Sequence, residues 1–238
     1  MSSAPVVSVM RSPSSERVPL SVRLEEGTAA TRREAEQTPF LRGLFRGSWG
    51  TSVYGQLVRG RHYVTHLQCM LQVYEALEGA LESQCSHPVV GGFLLPELWR
   101  SEALEEDLRC FLGPSDSETP QPSHLTALHV ERLRQLRLVA PHLLVAHAYA
   151  RYARDILPGP HLGQLVARAF DLSEGEGTAF YQAVAPSSVE ALRLRASRRL
   201  DSLPLTEEGV GALVQEARLA FRLDTLLADA LARESFGQ

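Results

Sequence analysis

The sequence predicts an all-α protein, a single domain of many helices of uneven length. Three observations carry that prediction. Apolar residues recur at spacings of three and four through most of the chain, the mark of helices with one buried face. No segment keeps a period-two alternation bounded by turn residues, so strands are not expected. No self-similarity at the repeat lengths of solenoids is present, and 238 residues with 44% hydrophobic content suit one large core.

Taken in order, Met1–Leu20 is rich in Ser and Pro and has no apolar stretch of signal-peptide type. Arg11 and Arg17 are accompanied by Glu16, so the segment reads as a disordered tail rather than a transit peptide, ahead of a domain over residues 21–234. A first helix is expected from Ser21 to Glu36, stopping before Pro39. A short helix follows from Thr38 to Gly43 or Gly47, and Gly47–Gly50 breaks the chain. From Tyr54 onward, Leu57, Val58, Val64, Leu67, Leu71, Tyr74, Leu77 and Leu81 trace one apolar face. Glu75, Glu78 and Glu82 lie on the outer face, and Pro88, Gly91 and Gly92 end the region. Leu98–Leu112 is a further helix, Ser115–Ser123 a loop, and His124–Leu138 and Pro141–Ile156 two helices around a break at Pro141. Pro158, Gly159 and Pro160 interrupt the second, and helical spacing resumes at Leu162. After a turn at Ser173–Gly177, Ser187–Leu203 and Thr206–Ala232 close the chain, each with a Ser or Thr in position to cap it.

Composition narrows the function. A net charge of −4 argues against a nucleic-acid partner. The 24 basic residues are all Arg, so any anion is met by a planar guanidinium fork. Cys69, Cys85 and Cys110 are widely spaced and form no CxxC, which argues against disulfides and cysteine zinc sites and fits a reducing cytoplasm. No apolar run reaches the roughly 18 residues of a membrane span.

The segment Leu143-Leu-Val-Ala-His-Ala-Tyr-Ala-Arg-Tyr152 goes further. It closely resembles the distal-helix signature of biliverdin-producing heme oxygenases, LLVAHAYTRY. Tyr74-Glu-Ala-Leu-Glu78, Pro96-Glu97 with Leu104-Glu-Glu-Asp107, Gly175-Glu-Gly177 with Ala179-Phe180, and Glu216-Ala217 with Ala220-Phe221 extend the resemblance from about Leu24 to Leu231. It implies the family's all-helical fold. It also implies heme as substrate and cofactor, cleaved with O₂ and electrons to biliverdin, CO and ferrous iron, with a ferredoxin or flavin reductase as electron donor. In the family, heme lies between a proximal helix that gives iron a His ligand and a kinked distal helix whose glycines pack on the ring.

Residue by residue, the resemblance puts Arg32 at the proximal ligand position, in Glu26-Gly-Thr28-Ala-Ala-Thr-Arg32-Arg-Glu-Ala35-Glu36, which is similar to EATxxxHxxAE. Arginine offers no lone pair at neutral pH, and the helix has no His. Arg32 either stands beneath a macrocycle or is an ordinary solvated helix residue. On the distal helix Asp155 and Gly159 match the family's LGDLSGGQ, while Arg154 and Pro158 replace glycines. Asp155 reads either as the residue steering protons or as the ion-pair partner of Arg151. Tyr74 and Arg151 match the polar network behind the distal site, where His129 replaces a Tyr and Asp224 an Asn. For the propionates, Arg193 and Tyr149 match. Ser197 and Glu25 replace basic residues, and Arg199 is a candidate substitute. Phe221 matches an apolar contact on the proximal side, where core packing equally predicts Phe.

Other motifs are weaker. His62 and His66 have i,i+4 metal spacing, but no facing Glu-x-x-His motif accompanies them, and no metal site is expected. Gly175-Glu-Gly177 is too short for a phosphate loop, and His147 reads as a satisfied core residue. Three functions follow: a divergent heme oxygenase, a heme- or tetrapyrrole-binding protein that has lost turnover, and a non-heme metal enzyme. The substitutions at Arg32, Arg154, Pro158, Ser197 and Glu25 favour the second over the first.

Overall fold

The structure, a computed structural model, describes residues 17–39, 60–112, 123–155, 159–173 and 175–236. The side chains of 60–62, 153–155, 159, 160, 169, 186 and 234–236 are not described. The expected tail over 1–16, the short helix after Thr38, the break at Gly47–Gly50 and the loop before Ser123 lie outside the described residues.

All regular elements among the described residues are helices: α1 Leu20–Glu36, α2 Gly60–Ser83, α3 Pro88–Phe93, α4 Ser101–Leu112, α5 His124–Val139, α6 Leu144–Asp155, α7 Gly159–Ala169, α8 Ala179–Gln182, α9 Val189–Asp201 and α10 Glu207–Phe236. Short 3₁₀ turns occur at Pro96–Leu98, Pro141–Leu143 and Pro186–Ser188. None is long and apolar enough to cross a membrane.

The long helix α10 organises one half of the molecule. It runs along α1 and packs on α6 and α5, while α2 packs on α4 and α5. The buried face of α1 is Leu20, Leu24, Thr28, Thr31 and Ala35, a spacing of three and four that keeps one stripe inward. Its approach to α10 is close enough that a Cβ at Gly27 would lie 2.6 Å from Val214 Cγ1. There the Arg218 guanidinium donates to the Gly27 carbonyl at 2.5 Å. The first turn of α1 is tied to the end of α9, because the Ser21 backbone N–H and hydroxyl both donate to Asp201, at 2.8 and 3.0 Å. A carboxylate at a helix N-terminus satisfies orphan donors and complements the dipole.

The α2 periodicity is as expected within the described part: Leu67, Tyr74, Leu77 and Leu81 are buried. Three expectations need correction. Glu78 is not on an outer face; it is 6% exposed. Its carboxylate accepts from the Arg100 and Ser101 N–H groups at 2.6 and 3.3 Å and from the Ser101 hydroxyl, capping α4 from another helix. Pro88 does not end a helix but occupies the first turn of α3, where its missing N–H costs nothing. The His87 ring accepts from the Val89 N–H at 3.2 Å. A Cβ at Gly91 would collide with the Cys85 carbonyl oxygen, so the chain folds back only because that side chain is absent. The Ser capping α9 makes no side-chain hydrogen bond, and the 3₁₀ turn leads into the helix instead. The expected Thr206 cap forms, accepting from Gly209 N–H at 3.1 Å, and Ser123 caps α5 by accepting from Thr126 N–H at 3.1 Å.

The turn before α8 carries Gly175 and Gly177 at φ +86° and +61°, a backbone that favours glycine. Past it, Asp107 of α4 accepts from the Ala179 and Phe180 N–H groups at 2.6 and 3.0 Å. Burial pushes the Asp107 carboxyl up to about 6 against the pull of those two bonds.

Candidate functional site

A cavity of about 170 Å³ opens between α1, α6 and α9. Its wall includes Glu25 and Arg32 from α1, Tyr149 and Tyr152 from α6, and Arg193 and Ser197 from α9. Helical geometry explains the convergence. Arg193, Ala196, Ser197 and Leu200 fall on one face of α9 at spacings of three and four, as Tyr149 and Tyr152 do on α6. Five positions singled out from sequence, Glu25, Arg32, Tyr149, Arg193 and Ser197, therefore meet in one place. Ser21, Tyr152, Phe93, Leu98 and Leu192 also line the wall, and sequence reasoning misses them as site residues. For Tyr152 a signal exists, its i,i+3 spacing from Tyr149.

Both cavity arginines hold a carboxylate from their own helix. The Arg32 guanidinium donates to Glu36 at 2.9 Å, with its side chain 29% exposed. Arg193 donates twice to Glu190, at 2.9 and 3.0 Å. Burial pushes the Tyr149 phenol above its ordinary range; its hydrogen bond with Thr28 and the nearby Arg32 charge pull the other way, and Glu25 adds to the rise. Arg199 does not substitute in the clamp: its guanidinium reaches the Leu94 carbonyl, and it is absent from the wall. Phe221 is fully buried behind Tyr149, edge-on to it at 6.5 Å and grouped with Ala35, Ala150 and Ala220. The side chains of Arg154, Asp155 and Gly159 lie outside the described residues. Their backbones place the end of α6 at Asp155 and the start of α7 at Gly159.

Behind α6 lies a buried polar network. Arg151, 2% exposed, pairs with Asp224 of α10 at 2.6 Å and stands over the Tyr74 ring at 5.6 Å. His129 of α5 has Nδ1 3.8 Å from the same Asp224 oxygen. Its Nε2 lies 3.2 Å from Nδ1 of His147. His147 Nε2 in turn is 2.9 Å from Glu216, which also receives two bonds from Arg132, at 2.9 and 2.6 Å. Burial raises the Glu216 carboxyl, but the bonds from His147 and Arg132 outweigh it and hold the group at about 2. The family resemblance groups Tyr74, Arg151 and Asp155 with His129 and Asp224. The sequence leaves His147 as core and does not reveal Glu216 or Arg132 as partners, because three helices bring them together across long stretches of chain. His66 is buried near Tyr63 and is not part of the cavity wall, and the His62 side chain lies outside the described residues.

Comparison with known proteins assigns the family. The heme oxygenase family model matches residues 18–229. The chain is 32% identical to heme oxygenase 2 of Synechocystis sp. over 208 residues, 86% of this chain and 80% of that protein. The heme oxygenase structure from Leptospira interrogans superposes with a TM-score of 0.81 at 31% identity, over 90% of this chain and 100% of that one. The Synechocystis heme oxygenase-2 structure in complex with heme and NO superposes at 0.82 and 30% identity, over 90% of this chain and 85% of that one. The chain belongs to the heme oxygenase family.

Proposed function

We propose that the chain binds heme in the cavity between α1, α6 and α9 and acts in the family's reaction, the O₂-dependent cleavage of heme to biliverdin, CO and ferrous iron. The observation that carries this reading is the meeting of Arg32, Tyr149 and Arg193, from three separate helices, on one cavity wall. Heme bound there supplies the iron at which O₂ is reduced. Arg193 and Tyr149 fit its acidic edge, as a guanidinium fork and a phenol suit a carboxylate. Arg32 does not fit its iron, since a guanidinium has no lone pair to give. Glu25 on the same wall opposes a propionate by like charge. Arg151, buried with Asp224 and Tyr74, positions α6. By family resemblance Asp155 would steer protons, and Gly159 and Arg154 would hold the ring's distal side. The electron donor is a ferredoxin or a flavin reductase, and the protein works in the cytoplasm.

A second reading is favoured by one observation: Arg32 is bonded to Glu36 where the family implies an imidazole. On that reading the chain binds heme or another tetrapyrrole without turning it over. Titration of the purified chain with hemin separates the two. A sharp, stoichiometric Soret band, followed by bilin absorbance on adding reductant under air, supports turnover. Stable binding with no bilin supports the second reading, and no saturable band defeats both. Arg32→His should bind hemin more tightly, and an unchanged titration curve would show that position 32 does not face the iron.

A further inference from the structure

Three helices bring an acid, a base and a phenol to one neighbourhood of the cavity wall: Glu25 of α1, Arg193 of α9 and Tyr149 of α6. They are close enough to feel one another. Glu190 holds the Arg193 guanidinium above its ordinary range, and Glu25 adds to that rise. Burial raises the Tyr149 phenol, and Glu25 adds to that rise too. Yet among the described residues no hydrogen bond or ion pair engages the Glu25 carboxylate. Glu36 and Glu190 differ from it, since each holds an arginine of its own helix. A carboxylate only accepts, so Glu25 presents the cavity with an acceptor still open to a donor.

An acidic ligand edge entering this neighbourhood meets one cation. Its first carboxylate takes the Arg193 fork. A second finds no cation beside it among the described residues. One turn along α9 from Arg193 stands Ser197, with Ala196 and Leu200 on the same face. Ser21, one turn before Glu25, gives its backbone N–H and its hydroxyl to Asp201. Arg32 lies seven positions beyond Glu25, roughly 10 Å by helical rise. Its guanidinium is bonded to Glu36, farther still along α1. The second carboxylate therefore meets Glu25 with nothing to offset the like charge. A neutral group in its place escapes that repulsion, and one bearing an N–H gives Glu25 a donor.

We propose that Glu25 determines ligand specificity, setting the cavity to prefer a tetrapyrrole with one free carboxylate, held by Arg193, whose neighbouring side group is neutral, an ester or an amide. Heme, a diacid, binds through Arg193 as well, but more weakly than its half-ester. This inference rests on the cavity being the tetrapyrrole site, as proposed above, and not on turnover. Glu25 takes part in no step of the reaction; it decides which acidic edge the wall accepts.

The test titrates the full-length chain with three iron-free probes, read by porphyrin fluorescence: protoporphyrin with both carboxylates free, its monomethyl ester and its dimethyl ester. At low ionic strength the monoester should bind a few-fold more tightly than the diacid. The dimethyl ester, with no carboxylate for Arg193, should bind more weakly than the monoester. Esterification also makes the ring more apolar, so the deciding quantity is the ratio of monoester to diacid affinity in Glu25→Gln. Position 25 is an exposed helical site, and Gln keeps the length of the side chain, so the fold is retained. Glu25→Gln should tighten the diacid a few-fold, leave the monoester where it was and so remove the preference. Added salt should narrow the preference in the unmodified chain. A diacid that binds as tightly as the monoester overturns the proposal, as does a preference that Glu25→Gln leaves unaltered. The hemin assay separates this result from the proposed function. A preference removed by Glu25→Gln, with no bilin formed from hemin, defeats turnover and leaves the specificity, and bilin formation without the preference does the reverse. Failure of all three probes to saturate overturns the specificity, and hemin binding then decides the function by itself.

Discussion

The two sides of α6 treat charge in opposite ways. Behind it, Arg151, Asp224, His129, His147 and Glu216 are enclosed by protein and joined to one another across three helices. In front, Arg32 and Arg193 sit on the cavity wall, partly open to solvent and bonded to carboxylates three or four residues along their own helices. The buried side cannot rearrange without leaving a charge unpaired in a low-dielectric interior. The cavity side can, because solvent screens exposed pairs within one helix and a ligand carboxylate competes with them on equal terms. A rigid, pre-paired back and a releasable front suit a site that must keep one helix in register while taking in a charged ligand.

The largest effect should come from breaking the back. Asp224→Ala leaves Arg151 buried without its carboxylate, at a cost of about 3–5 kcal/mol, the usual range for stripping one partner from a buried pair. Thermal unfolding should show a fall of roughly 6 °C or more, since each kcal/mol shifts the midpoint of a chain this size by about 2–4 °C. Glu36→Ala, which frees Arg32 in front, should move the midpoint by no more than about 3 °C. Equal shifts from the two variants would mean that the contrast between the sides is false.

Acid and alkali sharpen the same contrast through linkage. The Glu216 carboxyl is held at about 2 in the fold against an ordinary 4.5. The unfolded chain binds the proton first, so this contribution is fully present above pH 4.5 and lost as the pH falls toward about 2. Asp107 has the opposite sign. Its carboxyl is raised from 3.8 to about 6, so its contribution is complete below pH 3.8 and declines as the pH climbs toward about 6. Denaturant unfolding from about pH 2.5 to 7 should show Glu216→Gln flattening the acid limb and Asp107→Asn removing a downward slope between about 4 and 6. Each change is bounded by roughly 1.4 kcal/mol per pH unit for a single proton. A Glu216→Gln curve parallel to that of the unmodified chain would show that the back network does not hold that carboxylate ionised.

Much of the fold is legible in the sequence because it depends on periodicity. The apolar face of α2, the bounds of α1 and the break at Pro141 follow from spacing and from proline, both local in the chain. Glu78 and Pro88 mislead for one reason: each serves a helix that begins at or beyond it, so its local pattern suggests the wrong task. In the site, Arg32, Tyr149 and Arg193 are reached only through resemblance to a family motif, since no spacing links residues on three helices. Glu216 and Arg132 carry no such signal for their pairing, which becomes visible only with α5 and α10 side by side. The pairing of Arg193 with Glu190, by contrast, is readable from its i,i+3 spacing.

That pairing yields the smallest and most specific prediction. Glu190→Gln removes the carboxylate that occupies the Arg193 fork and should leave the unfolding midpoint nearly where it is, because the pair is exposed. Its effect on binding should be an increase. A propionate approaching Arg193 no longer displaces a carboxylate, nor does it face the Glu190 charge, so hemin should bind a few-fold more tightly at low ionic strength. The gain should shrink as salt is raised, since solvent ions screen the Glu190 charge in the unmodified chain as well. Axial ligation plays no part in this effect, so the gain should appear equally with an iron-free porphyrin bearing the same propionates. Fluorescence titration of such a porphyrin is the cleaner measurement. An affinity unchanged by Glu190→Gln would mean that the acidic edge of the ligand does not lie against α9, and that the clamp implied by Arg193 and Tyr149 is elsewhere.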